Sequence, residues 1–316
     1  MQVVRGLEGV ERFRGGYASI GNFDGVHRGH QAMLDVLTHR ARSENAPSIA
    51  ITFDPHPIAL LHPKATPPPL TSIEYRAELL ARHGVDVTVV LQTDPQLLSL
   101  KAQEFFDDIV RIKLDVKGLV EGSNFFFGCN RSGNITVLRS LCDDCGLSLD
   151  VVPSVTIEEQ LVSSSVIRSL IASGDIAHAV RLLGQPHRIR GTVCRGSKRG
   201  RTLGFPTANL MDVKTLMPSN GVYAALVNLD DVCLPAAVHI GPNPTFGENA
   251  SKTEVHIIDF SGDIYERTLD VDVLDRVRNV KSFSTVDQLV DQLQLDIDTA
   301  RKIAVSYLNP RPQTQC

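Results

Sequence analysis

Two histidines three residues apart, His27 and His30, stand in the run Ser19-Ile-Gly-Asn-Phe-Asp-Gly-Val-His-Arg-Gly-His30. The run follows a short apolar stretch and opens a helical pattern. At i and i+3 the two imidazoles share one side of a first helical turn. There they can donate hydrogen bonds to phosphate oxygens as charge builds on them. The helix N-terminus adds free N–H groups and the positive end of a dipole. Gly21 and Gly25 let the backbone approach a ligand, and Gly29 avoids a side chain that would crowd it. The expected cradle for ATP phosphates is Gly21, Asn22, Phe23, Asp24, Gly25 and Gly29, with His27 and His30 as the catalytic pair. An isolated H-x-G-H is also compatible with a plain tight turn. Its place after a strand and at the head of a helix favours the cradle.

A second piece is Val162-Ser-Ser-Ser-Val-Ile-Arg168. Ser164 and Ser165 fall at a helix start, where hydroxyls and N–H groups hold phosphate, and Arg168 can add a bidentate contact. Alone, such a serine run is an ordinary helix cap. The two pieces together are expected to bracket a nucleoside triphosphate.

The second half has its own chemistry. Six basic residues and no acidic one lie from Arg188 to Arg201, and Gly191, Gly196, Gly200 and Gly204 keep this stretch flexible. A basic, glycine-rich loop suits nucleotide phosphates. The plainer alternative is a solvated loop or an RNA contact. Thr207 and Asn209 argue for phosphate. They are neutral oxygen donors two residues apart, as a phosphate-bound Mg²⁺ needs.

The elements that must position these groups differ between the halves. In residues 1–186, short apolar runs (Ala18–Ile20, Ser48–Phe53, Asp86–Leu91, Val116–Val120, Leu147–Val152) alternate with helical patterns (Gly29–Arg40, Ser72–His83, Ala102–Lys113, Ile135–Asp144). This alternation predicts right-handed βαβ units and a doubly wound parallel sheet. Six prolines in Pro55–Pro69 predict a stiff surface loop without a regular element. Two more helices are expected at Ser164–Ala172 and Ile176–Leu183, the second capped by Asp175. After Gly184-Gln-Pro186 the pattern becomes strand after strand, which predicts an antiparallel barrel or sandwich over 187–275. A terminal amphipathic helix, Thr285–Ala304, presents Val286, Leu289, Val290, Leu293, Ile297 and Ala300 at helical spacing. The expected domains are thus 1–186 and 187–316.

Composition excludes several classes. At about 150 residues per domain, the 316 residues suggest two domains. A net charge of −4 excludes a global basic field, so no nucleic-acid partner is expected. No apolar stretch reaches about 18 residues, and the N-terminus lacks the apolar core of a signal peptide, so neither a membrane partner nor export is expected. The expected location is cytoplasmic. Six cysteines are too sparse for a disulfide scaffold. Cys142-x-x-Cys145 lacks the second pair that a zinc site needs.

The motifs as a set resemble a known family. Gly21-Asn-Phe-Asp-Gly-Val-His-Arg-Gly-His30, Thr52-Phe-Asp-Pro-His-Pro57 and Ser164-Ser-Val-Ile-Arg168 resemble the nucleotidyltransferase superfamily. More narrowly, they are similar to the N-terminal half of prokaryotic bifunctional riboflavin kinase/FMN adenylyltransferases. Phe205-Pro-Thr-Ala-Asn209 resembles the flavokinase signature. The likeness continues through Gly221-Val-Tyr223, Ile240-Gly-Pro-Asn-Pro-Thr-Phe246, Glu254-Val-His-Ile-Ile-Asp-Phe260 and Arg278–Phe283.

The resemblance implies a nucleotidyltransferase domain followed by a flavokinase barrel. The implied substrates are riboflavin, FMN and ATP, and Mg²⁺ is the implied metal. It further implies that Glu254 acts on the riboflavin 5′-hydroxyl, and that Asn124, Phe127 and Arg278 border flavin. Gly122-Ser-Asn-Phe-Phe-Phe-Gly128 departs from the family's Gly-x-Asp-Phe-x-Phe-Gly: Asn124 replaces Asp, and Phe126 takes a place often basic. Glu266 follows Tyr265 where glycine is usual, and Val280 stands where an acid is common. Two rivals remain: a flavokinase with a degenerate first domain, or an RNA- or protein-binding module on the same folds.

Overall fold

In the first half, apolar β-branched runs pair as a parallel sheet. β1 (Gln2–Arg5), β2 (Tyr17–Ile20), β3 (Ser48–Asp54), β4 (Val87–Gln92) and β5 (Gly118–Gly122) precede two-residue β6 (Phe126–Phe127) and β7 (Gly133–Asn134), and then β8 (Ser148–Val152). The sheet order is β1-β4-β3-β2-β5-β8, and every ladder is parallel. β9 (Thr156–Ile157) and β10 (Gln160–Leu161) form a small hairpin. The helices are α1 (Arg28–Ser43), α2 (Pro57–Leu61), α3 (Ile73–Arg82), α4 (Pro95–Ser99), α5 (Ala102–Phe105) and α6 (Ile135–Cys145). Both faces of the sheet are covered. Ala18, Ile20, Ile49 and Ile51 join Phe105, Phe106 and Leu138 on one face. Tyr17 and Ala50 join Leu34, Leu37 and Leu79 on the other. This is the doubly wound arrangement that the alternating pattern predicts. Strand order reverses between β2 and β5, so the crevice beyond their carboxyl ends is the expected ligand position.

Three elements differ from the sequence reading. β1 is an edge strand of four residues with only Val4 buried, too short and too polar to show as an apolar run. The Pro55–Pro69 stretch does hold regular structure. In α2, Pro57 sits in the first turn, where proline lacks no needed N–H, and His56 caps it by accepting from Ile58 N at 3.1 Å. The single helix expected over 102–113 is α5 followed by a π-helical stretch, Phe106–Lys113.

The computed structural model describes residues 1–196, 200, 203–230, 232–243, 245 and 248–309. Ser197, Lys198, Arg199, Arg201 and Thr202 of the basic loop lie outside the described residues, as do Pro244, Phe246 and the tail from 310. The chain forms two compact units, Met1–Pro67 with Thr71–Ser163, and Pro68–Leu70 with Ser164–Cys316.

The second unit begins with α7 (Ser164–Ser173) and α8 (Ile176–Leu183), which group with the barrel. Asp175 caps α8, accepting from His178 N at 3.3 Å. Arg276 donates to Ser173 O of α7 at 3.3 Å, and Gly174 packs against Ser219, Arg276 and Tyr223. Then come β11 (His187–Cys194), β12 (Ala208–Met211), β13 (Gly221–Leu229), β14 (Val232–Asn243), β15 (Glu248–Ile257) and β16 (Thr268–Arg278). They close as an antiparallel barrel in the order β11-β12-β15-β14-β13-β16, with β16 pairing back to β11. α9 (Val286–Leu308) is capped by Thr285 and packs Ile297 and Ala300 against Ala224, Ala237 and Ile258. Val286 is 50% exposed, so its buried face starts later than the spacing suggests. No described helix is long and apolar enough to cross a membrane.

Candidate active sites

The Gly21–His30 loop leaves β2 at the switch point. Its backbone is unusual: Phe23, Gly25 and Val26 have φ of +46°, +86° and +40°. Non-glycine residues there cost about 1–3 kcal/mol each and persist only when their surroundings hold them. A buried network does this. Asp24 accepts from Thr71 N (3.0 Å), Thr71 Oγ1 (3.1 Å) and Arg76 (3.2 Å). Arg76 also donates to Thr52 Oγ1 (3.2 Å), which in turn donates to Asn22 O (3.0 Å). Gly25 N donates to Thr71 Oγ1 at 3.2 Å. Phe23 is fully buried. Asp24 and the Phe23 ring therefore hold the loop from inside, so only the Phe23 backbone is left to meet a phosphate. Asn22 Oδ1 is buried and has no partner among the described residues.

His27 is the N-cap of α1. Its Nδ1 accepts from His30 N at 3.3 Å, so one of the free N–H groups expected at this terminus is already used. With Nδ1 accepting, the neutral ring carries its proton on Nε2. The two imidazoles stack at 3.7 Å, 13° from parallel. Burial, then His27 and Arg76, hold the His30 imidazole well below its usual range, so it is neutral near pH 7. A Cβ at Gly29 would press on the His27 ring at 3.3 Å.

Across the switch point, β5 leads into Gly122–Asn124. Asn124 is exposed. The aromatic surface of the following hairpin is not the expected Phe127, which is buried against Phe105 and stacked on Phe125. It is Phe126, 46% exposed, with Arg131 4.2 Å over its ring. The two neighbours point to opposite faces of the strand, and no motif says which is inward. Glu121 is wholly buried on β5 and accepts from Ile20 N at 2.7 Å; its other oxygen has no partner among the described residues. Burial pushes its carboxyl well above the usual range. Ser164, Ser165 and Arg168 lie on α7 in the second unit, and Arg168 donates to Pro68 O at 3.2 Å.

The barrel holds a cavity of about 1080 Å³, its open mouth included, lined among others by Phe205, Thr207, Asn209, His239, Asn243 and Glu254. Register explains the grouping. Asn209 is paired with Glu254, and Glu254 with His239, so three side chains form one row across β12, β15 and β14. Thr207, two residues before Asn209, shares its side. Two glycines permit close approach. A Cβ on Gly196 would lie 2.1 Å from the Asn209 amide nitrogen, and one on Gly200 would lie 2.3 Å from Phe205 O. Gly204 supplies a left-handed turn at φ +88°.

Arg278 also lines the cavity, but its guanidinium is engaged by Asp296 at 2.7–3.0 Å. Asp296 is 3% exposed and also accepts from Gln292 at 3.0 Å. Sequence reasoning missed Asp296. Its one signal is an acid between apolar positions on the inward side of α9.

A doubly wound domain and a closed barrel, each with side chains of the types that can meet phosphate, fit a two-domain, nucleotide-using transferase. Family models match both parts: FAD synthetase over residues 10–166 and riboflavin kinase over residues 183–304. The bifunctional riboflavin kinase/FMN adenylyltransferase of Pseudomonas fluorescens is 38% identical, over 96% of this chain and 98% of its own. That of Escherichia coli K12 is 34% identical, over 96% and 97%. A crystal structure from Streptococcus pneumoniae, described as a macrolide-efflux protein, superposes with a TM-score of 0.85 at 34% identity, covering 95% of this chain and 98% of that one. The chain belongs to the family of bifunctional riboflavin kinase/FMN adenylyltransferases. It is an enzyme of flavin-cofactor synthesis that carries both activities, with ATP as co-substrate.

Proposed function

We propose that the barrel phosphorylates riboflavin through Thr207, Asn209 and Glu254, and that the parallel-sheet domain adenylylates the FMN through His27 and His30. The observation that supports this most is the row Asn209–Glu254–His239, with Thr207 beside it, on the wall of an apolar cavity.

In the kinase step the riboflavin 5′-hydroxyl oxygen attacks the γ-phosphorus of ATP. The bond to ADP breaks, and the hydroxyl proton passes to Glu254. Magnesium fits the donor set: a hydroxyl and an amide oxygen, both neutral and both on the cavity wall. Thr207 Oγ1 and Asn209 Oδ1 would hold it, and when bound it neutralises phosphate charge. Gly196, Gly200 and Gly204 bring loop backbone to the phosphates. The apolar wall takes the flavin ring, and Arg278, pinned by Asp296, borders it.

In the second step an FMN phosphate oxygen attacks the α-phosphorus of ATP, and pyrophosphate leaves. The nucleophile is already anionic, so positioning and charge stabilisation carry catalysis. The Nε2–H of His27 and the neutral His30 serve the developing charge, and the Gly21–Gly25 backbone and Gly29 leave space for phosphates. Asn124 borders the flavin of this step. The assignment of Ser164, Ser165 and Arg168 to pyrophosphate rests on the sequence motif. We place the functional boundary at 186–187 and the enzyme in the cytoplasm.

The test is riboflavin with MgATP and chromatographic identification of products. FMN followed by FAD is expected. FMN alone would mean that the first domain has lost adenylyl transfer, and no turnover would leave the binding-module rival standing.

A further inference from the structure

The β14–β15 ladder changes register beside Glu254. Before the change, His239 pairs with Glu254, Ile240 with Thr253 and Gly241 with Lys252; after it, Asn243 pairs with Glu248. An unbroken ladder would set Asn243 opposite Ala250, four residues from Glu254 and about 13 Å along the strand. The shift moves its ladder partner two residues farther still, to Glu248, yet Asn243 Nδ2 lies 3.2 Å from Glu254 Oε2, so the side chain reaches the carboxylate out of ladder register. The irregularity is built in. Gly241 has φ +131°, and a Cβ there would meet Asn220 at 3.0–3.2 Å. His239 Nε2 donates to Pro242 O at 3.2 Å. Bulges re-aim side chains in this way. A carboxylate only accepts, so the Asn243 amide must present its N–H to Glu254.

We propose that Asn243 is a positioning residue for phosphoryl transfer: its amide anchors Glu254 Oε2 and leaves Oε1 to receive the substrate hydroxyl. The inference rests on the role proposed above for Glu254. A glutamate has three side-chain torsions, and a base must sit about 2.6–3.2 Å from the group it serves. Misplacement by about 1 Å costs on the order of 100-fold. One fixed oxygen limits that freedom without occupying the oxygen that acts.

The test uses the full chain with saturating MgATP and compares N243A, N243D, E254Q and N243A/E254Q. N243A is expected to lower kcat for FMN formation by about 10–100-fold, with KM for riboflavin within about twofold. N243D keeps the shape but cannot donate, and should lose at least as much. In the E254Q background, N243A should cost less than about twofold more, because the residue it positions is gone. Thermal midpoints and MgATP affinity report folding of the barrel in each variant. A raised KM with normal kcat would make Asn243 a substrate contact and overturn the inference. So would full additivity with E254Q, or a normal kcat in N243A beside a crippled E254Q. Full kcat in E254Q would overturn the reading of Glu254 itself, and the inference with it.

Discussion

In the parallel-sheet domain, the loop we propose to meet phosphate is ten consecutive residues, Gly21 to His30. In the barrel, Thr207, Asn209, Asn243 and Glu254 come from separate strands and their flanks, aligned by the β12–β15 and β14–β15 ladders. The contiguous site depends on local backbone, held in left-handed conformations by the Asp24–Arg76–Thr71 network. The ladder-built site depends on register, where a slip of one residue turns every side chain to the other face. A short motif therefore reveals the first kind of site whole, whereas in the second the motif gives Thr207 and Asn209, and strand pairing is needed to set Asn209 beside Glu254 and to bring in Asn243.

The two sites can be disabled one at a time. Glu254→Gln keeps the shape and removes the base, and should lower FMN formation about 10²–10⁴-fold. FAD formation from supplied FMN should be unchanged. His30→Ala should do the reverse, lowering FAD formation about 10²–10³-fold and sparing FMN formation. Equal loss of both activities in either folded variant would sink the separation of sites.

The boundary gives a stability test. Fragments 164–316 and 187–316 should both make FMN, but the shorter lacks α7 and α8, with their buried Ile171, Ile176, Ala179 and Leu182, and uncovers the β11 and β16 surface on which α8 packs. It should therefore unfold at lower denaturant concentration than the longer fragment. Equal denaturation midpoints would mean that these helices contribute no support.

Glu121 gives the stability of the first domain a pH dependence. The unfolded chain loses the Glu121 proton near 4.5, whereas burial keeps it on in the folded chain. Stability of the first domain therefore falls as pH rises above that value, by about 1.4 kcal/mol per pH unit until the folded carboxyl ionises. Glu121→Gln, already neutral, should flatten this slope in pH-dependent urea titrations. An unchanged slope would show that Glu121 is not its source.

Much of the fold was legible because its strands are apolar and its helices periodic. β2 to β5, β8 and all the long helices lie within a few residues of their expected ends. What escaped has physical causes. β1 is an edge strand with one buried residue. α2 tolerates proline because proline fits a first turn. At the sites, the histidine pair was legible as spacing, although the use of His27 as a helix cap was not. Phe126 and Phe127 are the same residue type, so only strand direction distinguishes surface from core. Asn243 and Asp296 act through partners 11 and 18 residues away, respectively, and neither pairing has a sequence signature.

Barrel closure also sets a timetable. β11 pairs with β16, His187 opposite Val273, so the first strand must wait for the last. The parallel sheet has all its strands once Val152 is synthesised, whereas the barrel needs Arg278. At about 5–20 residues per second, that interval is about 6–25 s. A nascent chain thus holds a complete nucleotidyltransferase sheet while its kinase strands still present unpaired edges. Ribosome stalling in that window would release a chain with one fold and half of another.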